Sequence, residues 1–482
     1  MLEHVVPRST WAAGGWTSEE VPADGSWEDY LARRLGSVVD RYRLWFLARA
    51  VVPPFDGSAV GLDPVDAAVL RHLANASRTT CGSGVGREGT HLPPGRTDDG
   101  PVPAWTTSTH PAARRSSTVS DRPLVVHITG ARPNFPKAAP VIAALDEHPV
   151  EQLLVHTGQH YDERMSEVFF RQLGLPEPDV NLGVGSGAHG AQTAATMVGL
   201  ETLFTERRPD LVVVYGDVNS TVAAALVASK MGISVAHVEA GLRSFDRTMP
   251  EEINRLLTDR ISDLLLVTSV DAVAHLGNEG ADPDSIHFVG NPMIDTLLRH
   301  LDALDTAGAA AQVGVDPAQP YVVATLHRPG NVDDPADVAA LVGAVHAVAD
   351  QVRLVVPLHP RGRQRLADAG FMDHENVLVV DPLGYVEFLS LVKGAAAVVT
   401  DSGGVQEETT VMGVPCLTLR PNTERPVTIT HGTNQLVTRE SLPGALADVL
   451  AAGRGDTWPV PPLWDGQAGP RIAAVLARHL GL

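Results

Sequence analysis

The chain is poor in cysteine and in aromatic residues. Its 482 residues include two cysteines, Cys81 and Cys416, and aromatic residues make up 5% of the sequence. Two cysteines cannot build a disulfide framework or a cysteine-rich zinc site. No apolar run reaches the ~18–20 residues of a transmembrane helix, and the opening MLEHVVPRST lacks the basic-then-apolar pattern of a signal peptide. These absences predict a soluble, cytoplasmic protein that does not insert into a membrane.

Positive charge is also scarce. The sequence has 37 Lys and Arg residues against 57 Asp and Glu residues, a formal net charge of −20, and its pI is about 5.3. An acidic chain of this kind is a poor ligand for nucleic acids, so no nucleic-acid partner is expected. The 44% of hydrophobic residues is enough to build cores, and the length predicts two to four domains.

The first part of the chain differs from the rest in composition and in the spacing of its apolar residues. Residues 1–75 hold four of the seven tryptophans, and apolar residues recur at helical spacing from Leu31 to Trp45, which predicts a small helical N-terminal extension of unknown role. Residues 76–122 are rich in Gly, Pro, Ser, Thr and Arg without apolar periodicity. Such a segment buries too little surface to offset its ordering entropy, so we predict a flexible linker.

From residue 123 onward, short β-rich runs alternate with helical patterns. The first series includes PLVVHITG, DLVVVYGD and SVAHVEAG, and the second includes YVVATLHR, RLVVPLHP and AAVVTDSGG. Continuous apolar strands separated by helices indicate parallel sheets covered on both faces. We therefore predict an α/β protein with two doubly wound, Rossmann-like domains, residues 123–300 and 301–482, in which ligands sit beyond the carboxyl ends of the strands.

Charged residues of the predicted first domain fall at these strand ends. The turn at Gly130 opens a helix, and we expect its backbone N–H groups to face an anion, with Arg132 and Lys137 adding positive charge. Three carboxylates, Asp217, Glu239 and Glu251, follow successive strands or loops. If they meet in one cleft they can do acid and base work, whereas helix capping with surface ion pairs is the alternative.

The predicted second domain carries a candidate nucleotide site. The loop Ser402-Gly403-Gly404 opens a helix, a pattern that wraps a diphosphate with backbone N–H groups. Glu408, inside that helix, is placed to accept hydrogen bonds from ribose hydroxyls, and the guanidinium groups of Arg420 and Arg425 suit phosphate.

Histidines also follow strands of the second series, among them His327 in TLHRPGN. A single histidine at a strand end is more often structural than catalytic. No segment of the sequence has the spacing of metal ligands, so no metal site is predicted.

These motifs together resemble a known family. GARPNFPKAAP, TGQH, YGDVNST, HVEAGLRS, PEEINR, LHR, DSGGVQEE and TERP occur in the order found in the non-hydrolysing UDP-N-acetylglucosamine 2-epimerases, from about Leu124 to the C-terminus. The resemblance implies a GT-B-like fold with two domains facing across a cleft, a last helix that packs back on the first domain, and a homodimer. It also implies interconversion of UDP-GlcNAc and UDP-ManNAc without a cofactor, by elimination of UDP and its re-addition through a bound glycal.

The resemblance further implies roles for individual residues. Asp217, Glu239, Glu251 and His327 match the family's catalytic groups, and Arg132 and Lys137 match the basic pair near the substrate phosphates. The UDP-binding positions are matched by Ser402, Gly403, Gly404, Glu408 and Arg425.

Other functions remain open from the sequence. The substrate could be a modified UDP-sugar such as a diacetamido uronic acid, and a hydrolysing epimerase would release free ManNAc and UDP. A GT-B glycosyltransferase would explain the Ser-Gly-Gly loop, but it would give Asp217, Glu239 and Glu251 no shared role in catalysis. A non-catalytic binding protein would have no use for three anions beside an anionic ligand.

Overall fold

A computed structural model of the chain describes residues 122–158, 172–326, 335–358, 360–455 and 457–482. The predicted helical extension (1–75) and nearly all of the predicted linker (76–122) lie outside the described residues. His327 also lies outside them. The described residues form two parallel β-sheets with helices packed on both faces, as the sequence predicts.

The first sheet has seven parallel strands in the order β3-β2-β1-β4-β5-β6-β7. Its strands are β1 Leu124–Thr129, β2 Glu151–His156, β3 Val180–Asn181, β4 Leu211–Tyr215, β5 Ser234–Ala240, β6 Leu264–Val267 and β7 Ile286–Phe288. The helices that accompany it are α1 Phe135–Leu145, α2 His189–Arg207, α3 Asn219–Lys230, α4 Pro250–Ile261, α5 Val270–Asn278 and α6 Pro292–His300.

The second sheet has six parallel strands in the order β10-β9-β8-β11-β12-β13. Its strands are β8 Tyr321–Thr325, β9 Arg353–Pro357, β10 Val377–Val380, β11 Ala397–Thr400, β12 Cys416–Leu419 and β13 Asn434–Val437. The helices that accompany it are α7 Thr306–Gln312, α8 Pro335–Ala349, α9 Pro360–Asp368, α10 Tyr385–Gly394, α11 Gly403–Met412, α12 Val427–Thr430 and α13 Leu442–Ala452. The last helix, α14 Ala468–His479, packs against helices of the first sheet.

In each sheet the chain starts at a central strand, and the direction in which strands are added reverses once. The chain runs outward from β1 to β3 and then crosses to β4, and it repeats this path from β8 to β10 and across to β11. A crevice forms at the carboxyl ends of the strands where the order reverses. The loops after β4, β5 and β11 therefore lie at the edges where a ligand is expected.

The strands form where the sequence is continuously apolar. All five residues of β4 (LVVVY) are buried, as are all six of β1 (LVVHIT). Strands buried on both faces have no solvent-facing side, which is why these runs do not alternate with polar residues.

The C-terminal segment packs against the first domain. The N–H groups of Ala468 and Gly469, at the start of α14, donate to the Asp295 carboxylate of α6 at 3.1 and 2.7 Å. A Cβ atom at Gly469 would lie 2.5 Å from the carbonyl oxygen of Pro140, so glycine is required where α14 crosses α1. This crossing holds the end of the chain on the helices of the first sheet.

Candidate active site

The carboxyl edges of the two sheets meet at one ion pair. Nη2 of Arg425, between β12 and α12, donates to Oε1 of Glu239 at 2.8 Å, although the two residues are 186 positions apart. Glu239 is 4% exposed and Arg425 is 8% exposed. The contact therefore marks a water-poor cleft between the domains.

Glu239 has an unusual backbone conformation. Its φ is +75°, in the left-handed region, and the pairing of β5 with β6 shifts register between Val238 and Ala240. A non-glycine residue in this region costs on the order of 1–3 kcal/mol, and such positions concentrate at functional sites. The bulge turns the Glu239 carboxylate toward the cleft, where it meets the ammonium group of Lys137 and the guanidinium of Arg425.

These two cations set the charge of Glu239. Burial alone would raise the pKa of its carboxyl, but the charges of Lys137 and Arg425 outweigh that effect and hold the pKa below its usual value. Glu239 is therefore an anion in the ligand-free protein. Lys137 is 5% exposed on α1, so both partners of this contact are withdrawn from solvent.

The loop that opens α1 differs from the prediction. The N–H groups of Gly130 and Ala131 donate to Oδ1 of Asn134 at 3.0 and 3.1 Å, and Nδ2 of Asn134 donates to the Tyr215 carbonyl at 2.8 Å. The expectation that this turn presents free backbone donors to an anion is wrong, because a side chain of the same loop occupies them. Arg132 is half-buried in the short 3-10 turn that precedes α1.

Asp217 lies after β4 and contacts a second buried cation. Nη1 of Arg255, on α4, donates to Oδ2 of Asp217, and Nδ2 of Asn254 donates to the Asp217 carbonyl at 2.8 Å. Arg255 is 2% exposed and also binds Glu252 of its own helix at 2.7 Å. The helix α4 thus orients Asp217 through two of its side chains.

Glu251 occupies the first turn of α4, next to the buried Glu252. Its side chain is half-buried and makes no ion pair among the described residues. Glu252 has a structural role instead, since its carboxylate accepts the N–H groups of Ser244 and Phe245 at 2.9 and 3.0 Å. Of the two adjacent glutamates, Glu251 is the one whose carboxylate is left for a ligand.

The buried carboxylate of Glu424 lies between the guanidinium groups of Arg255 and Arg425. Glu424 is 1% exposed, and its carboxylate lies 3.9 Å from Arg255 and 3.6 Å from Arg425. Asp217 and Glu239 therefore belong to one charge network that runs through Arg255, Glu424 and Arg425. Glu251 lies outside this network, in the first turn of α4.

Arg420, predicted as a phosphate ligand, is engaged elsewhere. Its Nη1 and Nη2 donate to the two carboxylate oxygens of Glu424 at 2.8 and 3.0 Å. This bidentate pair lies within its own loop and holds Glu424 in place. Arg425 is the arginine of this segment that reaches the cleft.

The Ser-Gly-Gly loop is shaped around Arg425. The helix α11 begins at Gly403, so the N–H groups of its first turn lack partners within the helix and carry its positive dipole end. A Cβ atom at Gly403 would overlap Nη1 of Arg425. Glycine at this position therefore lets the guanidinium lie directly against the helix N-terminus, and the Ser402 N–H is held by Oγ1 of Thr400 at 3.0 Å.

The buried side-chain amide of Gln406 holds the Ser-Gly-Gly loop in place. Gln406 is fully buried, and its Nε2 donates to the Ser402 carbonyl at 3.1 Å. Its Oε1 accepts from Thr423 at 2.7 Å and from Asn434 at 3.1 Å. Sequence reasoning missed Gln406, because nothing in GGVQEETTVM distinguishes it from the other polar residues of α11.

Two adjacent buried glutamates of α11, Glu407 and Glu408, also belong to the second-domain side of the cleft. Oε1 of Glu407 lies 2.8 Å from Nε of Arg425, and burial raises the pKa of the Glu407 carboxyl against the lowering effect of that cation. Burial, with the nearby charge of Glu407, raises the pKa of Glu408 to about 8, although a hydrogen bond with Tyr385 opposes the shift. Glu407 was not predicted as a site residue.

No group of three or more His, Cys, Asp or Glu side chains in the described part of the chain is arranged to hold a metal ion. No helix among the same residues is long and apolar enough to cross a membrane.

Two facing Rossmann-like domains, with buried carboxylates and an arginine beside a helix N-terminus between them, define a GT-B-like enzyme that handles nucleotide sugars. The particular family follows from comparison: the chain belongs to the UDP-N-acetylglucosamine 2-epimerase family, whose model matches residues 143–477. The protein is therefore an epimerase.

Two curated relatives illustrate the range of this family. The chain is 41% identical over 361 residues to the UDP-N-acetylglucosamine 2-epimerase of Methanocaldococcus jannaschii, covering 72% of this chain and 97% of that protein. It is 40% identical over 365 residues to the UDP-2,3-diacetamido-2,3-dideoxy-D-glucuronate 2-epimerase of Pseudomonas aeruginosa, covering 73% and 99%.

A solved structure supports the same relationship. The crystal structure of the M. jannaschii UDP-GlcNAc 2-epimerase in complex with UDP-GlcNAc and UDP matches with a TM-score of 0.69 and 40% identity. The match covers 74% of this chain and 99% of that one. The two-domain fold predicted from the sequence is thereby confirmed.

Proposed function

We propose that the protein interconverts UDP-GlcNAc and UDP-ManNAc by inverting C2, without an external cofactor. The observation that carries this proposal is the contact between Arg425 and Glu239. It brings a candidate acid/base carboxylate of the first domain next to the N-terminus of α11, where we place the diphosphate. The 41% identity to a UDP-N-acetylglucosamine 2-epimerase supports the choice of substrate.

The proposed UDP site uses the second-domain residues. The diphosphate accepts hydrogen bonds from the first-turn N–H groups of Gly403 and Gly404 and from Arg425, with Lys137 and Arg132 on the opposite wall. Ser402 adds a hydroxyl at the same helix start. Glu408 accepts the ribose hydroxyls through its buried carboxyl oxygens, and its pKa of about 8 makes this contact stronger as the pH rises toward that value.

The chemistry requires elimination followed by addition. A base removes the C2 proton while the C1–O bond to UDP breaks, which gives a glycal and bound UDP. UDP then returns to C1 as an acid delivers a proton to the other face of C2, so atoms and charge balance over the cycle. The proposed acid/base groups are Asp217, Glu239, Glu251 and His327.

Binding of the diphosphate is coupled to the reactivity of Glu239. In the ligand-free protein, Lys137 and Arg425 hold the pKa of Glu239 low. A diphosphate at α11 competes for both cations and so withdraws positive charge from Glu239. The carboxylate becomes a stronger base when substrate occupies the cleft, which suits a proton transfer at a weakly acidic C–H bond.

A second candidate substrate is UDP-2,3-diacetamido-2,3-dideoxy-D-glucuronic acid. It is favoured by the 40% identity to the P. aeruginosa enzyme, which covers nearly the whole of that protein. The reaction at C2 is the same, so both substrates use the same acid/base groups. The uronate adds a carboxylate that needs a further cation.

We also propose that the enzyme works in the cytoplasm as a homodimer, and that its product feeds polysaccharide synthesis. Exposed apolar side chains support a dimer: Val198 on α2, Met231 at the end of α3 and Leu257 on α4 are 66%, 38% and 52% exposed. Light scattering on the purified protein tests the dimer, since a monomer at micromolar concentration would contradict it.

The function is tested by offering both sugars separately. The purified chain is incubated with UDP-GlcNAc or with the diacetamido uronate, without added NAD or metal, and the products are separated by anion-exchange chromatography. Formation of UDP-ManNAc at the higher kcat/KM supports the proposal, with Asp217→Asn as the inactive control. Turnover of the uronate alone would support the second candidate, and release of free ManNAc would indicate hydrolysis.

A further inference from the structure

The imidazole of His237 lies between two hydrogen-bond acceptors. His237 is fully buried in β5, its Nδ1 is 2.6 Å from Oδ1 of Asp259, and its Nε2 is 2.8 Å from the Gly216 carbonyl oxygen. A carbonyl oxygen accepts hydrogen bonds and cannot donate, so Nε2 must carry a proton. The neutral ring would then have an unprotonated Nδ1 facing a carboxylate.

Asp259 is itself held as an anion. Its Oδ2 accepts the Gly241 N–H at 3.0 Å and lies 2.7 Å from Nη1 of Arg243. These two contacts, one with a backbone donor and one with a guanidinium, stabilise the anion of Asp259 independently of His237. Oδ1 therefore accepts a hydrogen bond too, and both ring nitrogens of His237 must donate.

This one ring touches three elements of the site. Gly216 directly precedes Asp217, and His237 lies two residues before Glu239 on β5. Asp259 lies on α4, the helix that carries Glu251 in its first turn. The ring therefore joins the backbone segments that present all three candidate acid/base carboxylates.

We propose that His237 is a positioning residue of the epimerase, held as a buried imidazolium that fixes the turn before Asp217 against β5 and α4. This inference rests on the proposed function. His237 acts through Asp217 and Glu239 and does not contact the reacting atoms.

The clearance at Gly216 shows why this position must be fixed. Gly216 has a φ of +63°, and a Cβ atom built on it would lie 3.0 Å from Oε2 of Glu239 and 3.1 Å from Nζ of Lys137. The backbone of this turn is thus packed against the Lys137–Glu239 pair. A shift of the turn displaces Asp217 and disturbs Glu239 together, and a displacement of about 1 Å can cost about 100-fold in rate.

The charged groups near the ring come from β5, the loop that follows it, α4 and α1. Asp259 contacts it directly, Arg243 reaches it through Asp259, and the positive charge of His237 helps to lower the pKa of Glu239. Lys137 adds a second cation on the far side of Glu239. The ring thus has both a geometric and an electrostatic effect on the site.

A second buried histidine provides an internal contrast. His127, on β1, is also fully buried, but its Nδ1 faces the hydroxyl of Tyr215 at 2.7 Å and its Nε2 faces Oε1 of Gln152 at 2.9 Å. A tyrosine hydroxyl can donate, so a neutral ring satisfies both bonds. Burial lowers the pKa of His127 to about 4, which keeps this ring neutral.

The first test is the protonation state, read directly from the full chain. The nitrogen NMR spectrum of protein with isotope-labelled histidine is recorded under the conditions of the activity assay, and the His237 signals are assigned by their loss in His237→Gln. We expect two protonated ring nitrogens for His237 and one for His127. A His237 ring with one unprotonated nitrogen would overturn the inference. If His237→Gln does not fold, the ring signals are assigned in wild type by their correlation with the His237 backbone.

The second test separates positioning from binding. We expect His237→Leu to lower kcat by about 10–100-fold, with the KM for the UDP-sugar and the Kd for UDP within about threefold of wild type. His237→Gln, which can keep a donor toward the Gly216 carbonyl, should recover part of that loss. Equal kcat in wild type and His237→Leu would overturn the inference.

A matched control uses another histidine–aspartate pair. His374, in the second domain outside the cleft, lies 3.1 Å from Asp350, and His374→Gln should leave kcat unchanged. If wild type does not epimerise either UDP-sugar, the proposed function fails while the NMR result still decides the charge of His237. If wild type is active and the His237 variants match it, the inference about His237 fails alone.

Discussion

Glu239 of the first domain and Arg425 of the second are joined by a hydrogen bond of 2.8 Å. The same guanidinium lies 2.8 Å from Glu407, so one cation serves two carboxylates and faces the N-terminus of α11. A diphosphate bound at that helix has to compete for Arg425. The strength of UDP binding and the basicity of Glu239 are therefore linked through a single side chain.

Replacement of Arg425 tests that link. We expect Arg425→Lys to weaken UDP binding by about 10–100-fold, because a lysine cannot make the forked contacts of a guanidinium and a charged hydrogen bond contributes about 1.5–3 kcal/mol. Isothermal titration calorimetry with UDP measures the change. Arg363→Lys, in an exposed ion pair with Asp381, is the control, and equal UDP affinity in Arg425→Lys and wild type would remove Arg425 from the UDP site.

The clearance at Gly403 leads to a second prediction. A Cβ atom there would overlap the guanidinium of Arg425, so Gly403→Ala should displace Arg425 and raise the KM for the UDP-sugar by about tenfold or more. Gly444→Ala, in α13 with no atom within 4 Å of the added Cβ, should leave KM unchanged. Similar KM values for the two variants would show that the close approach is not needed.

The candidate acid/base groups lead to a third prediction. Asp217→Asn and Glu251→Gln should each lower kcat by about 10²–10⁴-fold, the usual effect of losing a positioned acid or base. UDP affinity should change little, because the proposed UDP contacts lie mostly in the second domain. Glu206→Gln, on an exposed part of α2, is the control. Near-wild-type turnover in either variant would exclude that residue from the mechanism.

The buried carboxyl of Glu408 leads to a pH-dependent prediction. Burial raises its pKa from the ordinary value of 4.5 to about 8 in the folded protein, so the folded state favours the protonated form. Its contribution to stability is complete below pH 4.5 and is lost as the pH rises toward 8. At pH 9, Glu408→Gln should therefore have a higher Tm than wild type. The difference is about 2–4 °C for each kcal/mol of unfolding free energy that the ionised carboxylate costs wild type, and it should be smaller at pH 5.

Thermal unfolding followed by circular dichroism measures this effect in ligand-free protein. At pH 9, where the wild-type group is ionised, the same substitution should weaken UDP binding, because an amide presents one acceptor oxygen to the ribose hydroxyls where the carboxylate presents two. A Tm difference that does not vary between pH 5 and pH 9 would show that Glu408 is ionised in the folded state.

Sequence reasoning found the long apolar strands and missed the short edge strands. Runs such as LVVVY in β4 and AVVT in β11 are buried on both faces, and continuous hydrophobicity is the signal for such strands. The missed strands, β3 (Val180–Asn181) and β13 (NQLV), lie at sheet edges. The strand β3 has only two residues and β13 begins with two polar residues, so neither has the continuous apolar run by which a strand is recognised.

The types of site residue could be predicted, but their partners could not. Asp217, Glu239 and Arg425 follow from strand ends and motifs, whereas the contact of Glu239 with Arg425 depends on how two separate sheets face each other. Asn134 shows the same limit at short range. Nothing in GARPN tells that this side chain, rather than a ligand, takes the N–H groups of the loop.

The central claim is that this cleft exchanges the proton at C2 of a UDP-sugar. Its most direct test is proton NMR of the purified protein with UDP-GlcNAc in D2O, without added NAD or metal. We predict that UDP-ManNAc appears with deuterium at C2 and that the remaining UDP-GlcNAc also gains deuterium there. UDP-GlcNAc that binds but keeps its C2 proton, with no UDP-ManNAc formed, would contradict the account.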